Sequence, residues 1–566
     1  MARRDATVDD LVGMVERGEL RLPEMQRRYV WRSTRVRDLM DSLYRGYPSG
    51  AILIWEADEA VPMQEFSVSQ QDSPYQKALL LLDGQQRLTS LSAVIRGEPV
   101  TVRGRKKPLE LLFNLDHPEK LELVTEVNEN ASDDENEVGD DDAIDSSEDE
   151  LMQRFQKMTF VVSTKKLLNL PNWIKVTDAF KNDDDADILD KTGITSLKDP
   201  RYRKYSQRLA KLRGIRNYVY RLDVLERDLS YEEVTEIFVR VNSLGAKLRG
   251  SDLALAQITA RWKNSLAVFQ NFQMQCKDQG FDLDLGIYLK NMIAFITAQS
   301  RFLSVNTIPL DDLNKGWEES KKGMEFAINF MRNNAGITSP ALLASPFILI
   351  TVAYYGYKHD YQISTEMEKS LTYWIRITNA KGRYSRGSSE SFLDQDLGTI
   401  RDGGIVEDLL ARLKNQVGTL DVTPEELVGR TRRSALFKTM FMAFKSLGAK
   451  DWNSNLSIGI DHAGAAHKLQ FHHIFPKAYL RKEGYTAKEA DDISNFAFIG
   501  GKTNRKISDK APAIYFKDIK SNSGSEAFDL QCIPHFDELL DAESFKEFLN
   551  QRRMLISDCL NKYVKG

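Results

Sequence analysis

Cysteine is nearly absent from this 566-residue chain: Cys276, Cys532 and Cys559 are the only three. Thiols so far apart give neither a disulfide framework nor the paired spacing of a structural zinc site, and they suit a reducing cytoplasm. Long apolar runs are missing as well. The run at 347–357 is too short to cross a bilayer, and the first five residues are not followed by the apolar core of a signal peptide. There is no Walker A loop. Gly501-Lys502-Thr503 has the ending of one, but Phe496 stands where its first glycine is required. Histidine is scarce too, with seven in all, yet His462, His467, His472 and His473 fall within twelve positions.

Charge is present in both signs but unevenly placed. The net charge is −4, and residues 129–150 hold twelve acids without one Lys or Arg, so the rest of the chain sums to +8. Such a run reads as a solvated, disordered insertion, or alternatively as a polyanion mimic that competes with DNA for a basic groove. Residues 431–566 sum to about +5, which is compatible with nucleic-acid binding without being diagnostic of it. A mass of 64.6 kDa suggests several domains. The pattern divides into 1–262, a helix-rich stretch 263–430 without solenoid repeats, and 431–566.

In the N-terminal part, Val8, Leu11, Val12 and Val15 have helical spacing behind a Thr7 cap. A segment dense in Arg and aromatics follows, Gln26-Arg27-Arg28-Tyr29-Val30-Trp31. Residues 35–44 read as a helix, and 51–55 and 78–82 as buried strands. The second strand runs into Asp83-Gly84-Gln85-Gln86-Arg87-Leu88-Thr89, a glycine turn opening a helix. Gly84 permits close backbone approach, the helix N-terminus offers N–H groups to an anion, and Arg87 supplies a fork matched to phosphate oxygens. Gln85 and Gln86 have the chemistry to bond a base, a ribose or a water. Residues 198–221 carry nine basic residues among four tyrosines. That is either a nucleic-acid surface or an amphipathic helix with a solvated basic face. Arg240 and Asn242 precede Gly245 and a capped helix from Ser251, and on the residues alone Arg240 ties that helix to the strand carrying Asp83. The glycine loop at 381–387 reads as a connector.

The densest chemistry is at Phe471-His472-His473-Ile474-Phe475-Pro476-Lys477. Adjacent imidazoles suit a hydrolytic site that binds a metal and needs a base near neutral pH. Successive strand residues face opposite ways, so both can serve one site only if the strand ends there, and Pro476 is placed to end it. Residues 493–499 read as a second strand reaching Gly500-Gly501, and 502–507 as a helix start with Thr503 a candidate cap.

This strand–hairpin–helix, with Asn495 and Asn504, resembles the HNH (His-Me finger) nucleases. The resemblance implies His473 as general base and His472 with Asn504 as metal ligands. It leaves Asn495 either to fix the loop or to orient the base, and gives Arg505, Lys506 and Lys510 to flanking phosphates. His472 stands where an acid is often found, which admits softer ions beside Mg²⁺. His462 and His467 lie outside the motif. The 26–31, 83–89 and 237–242 blocks resemble the three signature blocks of GmrS-type, ParB-like nucleotide-binding domains. That implies NTP (GTP, ATP or UTP) bound through Gln26, Arg27, Arg28, Trp31, Asp83, Gly84, Gln85, Gln86, Arg87, Thr89, Arg240 and Asn242. With a GmrD-like HNH domain on the same chain, the whole resembles the GmrSD family of modification-dependent (type IV) restriction endonucleases.

The fold this implies is α+β and multidomain: a ParB-like α/β domain, a mostly helical middle and a C-terminal ββα-metal domain. The implied function is antiviral defence in the cytoplasm. An NTP-dependent endonuclease, using Mg²⁺ or Mn²⁺, would cut double-stranded phage DNA bearing modified bases, with one site per chain favouring a homodimer. The alternatives are a nuclease gated by a host mark such as phosphorothioate, and a nucleotide-sensing DNA-binding regulator that does not cut.

Overall fold

The computed structural model describes residues 2–26, 29, 31–57, 61–64, 66–71, 79–100, 108–119, 148–164, 166–181, 184–244, 249–302, 305–462 and 467–566, by backbone alone at 148–151 and 242–244. The acidic run lies outside these residues as far as 147. Contacts divide the chain into two compact units, Met1–Leu266 and Ala267–Gly566.

The first unit is built on strands β1 (Ala2–Thr7), β2 (Leu20–Pro23), β3 (Ile52–Glu56), β4 (Met63–Gln64), β5 (Leu79–Asp83) and β9 (Val219–Leu225), in the order β1-β9-β3-β5-β2-β4. The sheet is mixed: β5 runs parallel to β2 and antiparallel to β3. β3 and β5 are continuous apolar runs because both of their faces are covered. Ile52, Ile54 and Leu81 meet α1 (Val8–Glu16), α2 (Ser33–Arg45) and α3 (Gln85–Arg96) on one side. Leu53, Trp55, Leu80 and Leu82 meet the helices Tyr231–Leu244 and Gly250–Arg261 on the other. Thr7 caps α1 as expected, its hydroxyl accepting from the Asp10 N–H while the Asp10 carboxylate accepts from the Thr7 N–H. A small antiparallel sheet of β6 (Leu111–Asn114), β7 (Phe160–Val162) and β8 (Trp173–Lys175) completes the unit.

The basic stretch near 200 is an amphipathic helix, Tyr202–Arg213. Tyr205, Leu209 and Leu212 are buried. Its cations mostly serve the unit itself: Lys204 pairs with Asp116, Arg213 with Asp185, and Arg208 donates to the Leu115 carbonyl at 2.6 Å.

The second unit is helical over most of its length, and the apolar run near 350 forms a buried helix, Phe347–Lys358. Among the described residues no helix is long and apolar enough to cross a membrane. Late in the chain β10 (Leu469–His473) pairs antiparallel with β11 (Phe496–Gly500), and the helix Gly501–Ile507 follows at once. Two boundaries differ from the sequence reading. Residues 493–495 form a 3₁₀ turn because Asn495 turns its side chain inward, so the strand starts at Phe496. Thr503 does not cap the helix: Gly500 occupies the N-cap position, and the Thr503 hydroxyl donates to Asp451 at 2.8 Å.

The terminal helix Phe545–Lys565 supports this element through Arg552, which has no exposed surface. Its guanidinium donates to the carbonyls of Ser494 (2.7 Å), Phe496 (2.7 Å), Gln531 (3.1 Å) and Cys532 (3.2 Å). Removing a donor from buried acceptors costs about 1–3 kcal/mol for each acceptor left bare. Arg552→Met is therefore expected to lower the unfolding free energy of the full chain by about 3–5 kcal/mol in urea melts; a loss below about 1 kcal/mol contradicts this role.

Candidate active site

A two-stranded ribbon is marginal on its own and leaves one edge of each strand without partners. Here polar side chains fill the open edge of β11. Gln531 accepts from the Phe498 N–H at 2.8 Å and donates to its carbonyl at 3.0 Å, and Asp451 accepts from the Gly500 N–H at 2.6 Å. Arg552 covers the Phe496 carbonyl. At the end of β10, the buried Asn495 amide accepts from the Phe475 N–H (2.9 Å) and donates to the carbonyls of Phe475 (3.0 Å) and Ala490 (2.9 Å). Of the two roles left open for Asn495, the geometry selects fixing the loop.

The ladder pairs His472 with Ala497 and His473 with Phe496, so the two imidazoles leave opposite faces of β10. The strand does end at His473, and Pro476 begins the next helix, Lys477–Lys482. The rings still point apart, and each has its own surroundings.

His472 is buried, edge-on to Trp452 and Tyr515. Its Nδ1 lies 2.8 Å from Asn504 Oδ1, and its Nε2 lies 3.4 Å from the Tyr515 hydroxyl, which itself donates to the Ile474 carbonyl. Burial pulls the imidazole down to about 4, overriding the Asn504 bond, so the ring is neutral at pH 7. Among the described residues no three His, Cys, Asp or Glu side chains gather as a metal cluster. A hard cation that keeps most of its water needs only one or two protein donors, and a neutral Nδ1 beside an amide oxygen is such a pair. An amide oxygen only accepts, so the neutral ring donates its Nδ1–H to Asn504 Oδ1, and a cation held by the pair would take the place of that proton.

His473 is partly exposed and packs on Phe496, with ring centroids 4.3 Å apart. Its Nε2 donates to Asp491 Oδ1 at 2.8 Å, and Lys477 holds the other carboxylate oxygen at 2.8 Å. Among the described residues Nδ1 of His473 has no hydrogen-bond partner. Burial keeps this ring below the usual histidine range, with Asp491 opposing. Burial pushes Asp491 upward, but its bonds to His473 and Lys477 win and hold it at about 2. A neutral imidazole, anchored by one nitrogen and open at the other, is the arrangement a general base requires. Asp491, its orienting group, was missed by the sequence reading. The only local sign was a pair of acids four residues before Asn495.

The remaining candidates are scattered by comparison. Lys506 contacts Asn453 at 3.2 Å, while Lys510 and Arg505 are exposed on or just after the same helix. His462 and His467 sit in the loop before β10 as expected, with His467's carbonyl 3.3 Å from His462 Nδ1.

In the first unit, blocks one and two come together. Gln26 donates to the carbonyls of Leu81 and Leu82, the Trp31 N–H donates to Gln86, and Tyr29 meets Ser90 at 2.9 Å. Gly84 has φ +106°, and a Cβ there would lie 2.5 Å from Ile52 Cδ1, so the turn needs glycine. Gln85 and Thr89 are buried. The Arg87 guanidinium is already engaged by the carbonyls of Ser49 and Ala51 and by Asp83 at 2.8 Å. Arg240 is not joined to the strand of Asp83: it projects from the helix Tyr231–Leu244 and pairs with Glu236 at 2.7 Å. Arg27, Arg28 and the Asn242 side chain lie outside the described residues.

Because Asp491 favours the charged form of His473, Asp491→Asn is expected to move the His473 titration midpoint to lower pH, read from its ring resonances by NMR. An unchanged or higher midpoint contradicts the pairing. The depressed Asp491 also adds stability that is complete above its ordinary value of 3.8 and is lost as pH falls toward about 2. The acid-unfolding curve of Asp491→Asn should lack that segment.

Two relationships place this geometry. An uncharacterized protein of Methanocaldococcus jannaschii, MJ0686, is 24% identical over 555 residues, spanning 91% of this chain and 87% of the relative. Residues 8–259 match the family described as GmrSD restriction endonuclease, N-terminal domain. Residues 8–259, which hold most of the six-stranded sheet and its Asp83–Gly84 turn, are thus similar to the N-terminal domain of GmrSD restriction endonucleases.

Proposed function

We propose that the chain is a metal-dependent DNA endonuclease of a phage-defence system, cutting through its strand–strand–helix element and licensed by NTP in its N-terminal domain. The observation that carries the reading is the pairing of an anchored, neutral His473 with a separate His472–Asn504 donor pair at the end of one strand. Hydrolysing a phosphodiester needs a base for water and charge relief for the phosphate and leaving oxygen. His473 takes the water proton at Nδ1 while Asp491 fixes Nε2–H and stabilises the imidazolium that forms. Lys477 keeps Asp491 ionised. His472 and Asn504 would hold Mg²⁺ or Mn²⁺, which supplies the charge relief when bound. Arg505, Lys506 and Lys510 hold flanking phosphates of double-stranded DNA.

In the N-terminal domain, α3 begins without a side-chain cap and offers its first N–H groups to nucleotide phosphates. Arg87 holds the turn in shape, and the half-exposed Asp83 orients the attacking water or a nucleotide-bound cation. A nuclease restrained from self DNA has reason to be tied to such a switch. The substrate is phage DNA with modified bases, such as glucosylated or hydroxymethylated cytosine, and a pair of chains supplies the two cuts.

Nicking of modified and unmodified phage DNA, with and without NTP and divalent metal, tests this directly. His473→Ala is expected to slow metal-dependent nicking by about 10²–10⁴-fold; equal rates for variant and wild type contradict the assignment. Asp83→Ala should abolish phosphate release without unfolding the chain, and unchanged release would move the NTP site elsewhere.

A further inference from the structure

The face of β10 that carries His473 holds more than a base. Phe471 shares it by strand alternation and is 40% exposed, and Phe496 lies across the ladder. Phe437 packs beneath, its ring centroid 5.1 Å from that of Phe471 and 5.8 Å from that of Phe496. Over this platform sits the guanidinium of Arg432, 6.0 Å from the Phe471 centroid and 5.6 Å from that of Phe496. Arg432 is exposed. Among the described residues no carboxylate pairs with it, whereas Lys477 and Arg553 are neutralised by Asp491 and Asp492. Cation–π contact keeps the planar group against the rings and leaves its outer face and N–H edges to solvent.

We propose that Arg432 is a phosphate-binding residue of the cutting centre, its guanidinium receiving a non-bridging oxygen of a DNA strand laid across the His473 face. This rests on the nuclease reading above. An unpaired guanidinium beside a base is placed for the charge that grows on the phosphate, where such a donor counts most. The same charge disfavours protonation of His473 and so preserves the base; Lys477 acts likewise, Asp491 acts oppositely, and the neutral His472 lies on the far face.

The test uses the full chain with Mg²⁺, NTP and phage DNA bearing modified cytosine, comparing wild type, His473→Ala, Arg432→Gln and Arg432→Lys. Arg432→Gln is expected to lower kcat by about 10²-fold, Arg432→Lys to recover part of the loss, and the melting temperature to stay unchanged. Lysine keeps the charge but not the planar fork, so partial recovery by Arg432→Lys is a readout that a purely structural role would not give. If Arg432→Gln cuts at the wild-type rate while His473→Ala is inactive, the Arg432 assignment falls and the nuclease reading stands. If wild type fails to nick under any metal and NTP condition, both fall.

Discussion

One side-chain amide, that of Asn495, ties the end of β10 to the turn entering β11 through three hydrogen bonds. A ribbon of two strands has too little ladder to hold its ends in place, so its geometry depends on what closes its edges. In this chain Asn495, Gln531, Asp451 and Arg552 do so, each saturating backbone groups that a third strand would otherwise engage. The positions of His472, His473 and Asn504 follow from that closure. Polar groups buried this deeply specify one arrangement because any other leaves acceptors bare.

The two adjacent histidines show how environment separates chemically identical groups. His472 lies among Trp452 and Tyr515 and is kept neutral by burial, its Nδ1 bonded to Asn504. His473 is partly exposed and bonds a carboxylate through one nitrogen, so a proton it gained would have its charge stabilised. Strand alternation gives the two rings separate surroundings, a buried aromatic one for His472 and a partly exposed one beside Asp491 for His473. In the N-terminal domain Arg87 illustrates the reverse case. Its fork suits phosphate, but three internal acceptors already hold it, which leaves the uncapped helix start and Asp83 as the open chemistry of that turn.

Much of this was legible in the sequence. The β5–Gly84–α3 turn, the Thr7 cap and the strand–strand–helix order at 469–507 each rest on local rules: apolar runs, glycine punctuation, capping residues. What was not legible is contributed from far along the chain. Gln531 and Arg552 are 33 and 56 residues beyond the β11 atoms they bond, and neither has a pattern that marks it. Asp491 is closer, yet it ends the short helix Ala487–Ala490 and meets His473 only in the folded chain. Arg240 shows the same limit: its place in the 237–242 block says nothing about the direction in which a helix presents it, and it pairs with Glu236 on that helix.

The central claim, that the end of β10 is a cation-assisted cutting centre, can be tested without any turnover. Mn²⁺ added in small amounts to isotope-labelled full-length protein should first broaden the Asn504 side-chain amide and the His472 ring, then the His473 ring, and Asn504→Ala should abolish the effect. Broadening that begins elsewhere, or that survives Asn504→Ala unchanged, would contradict the account.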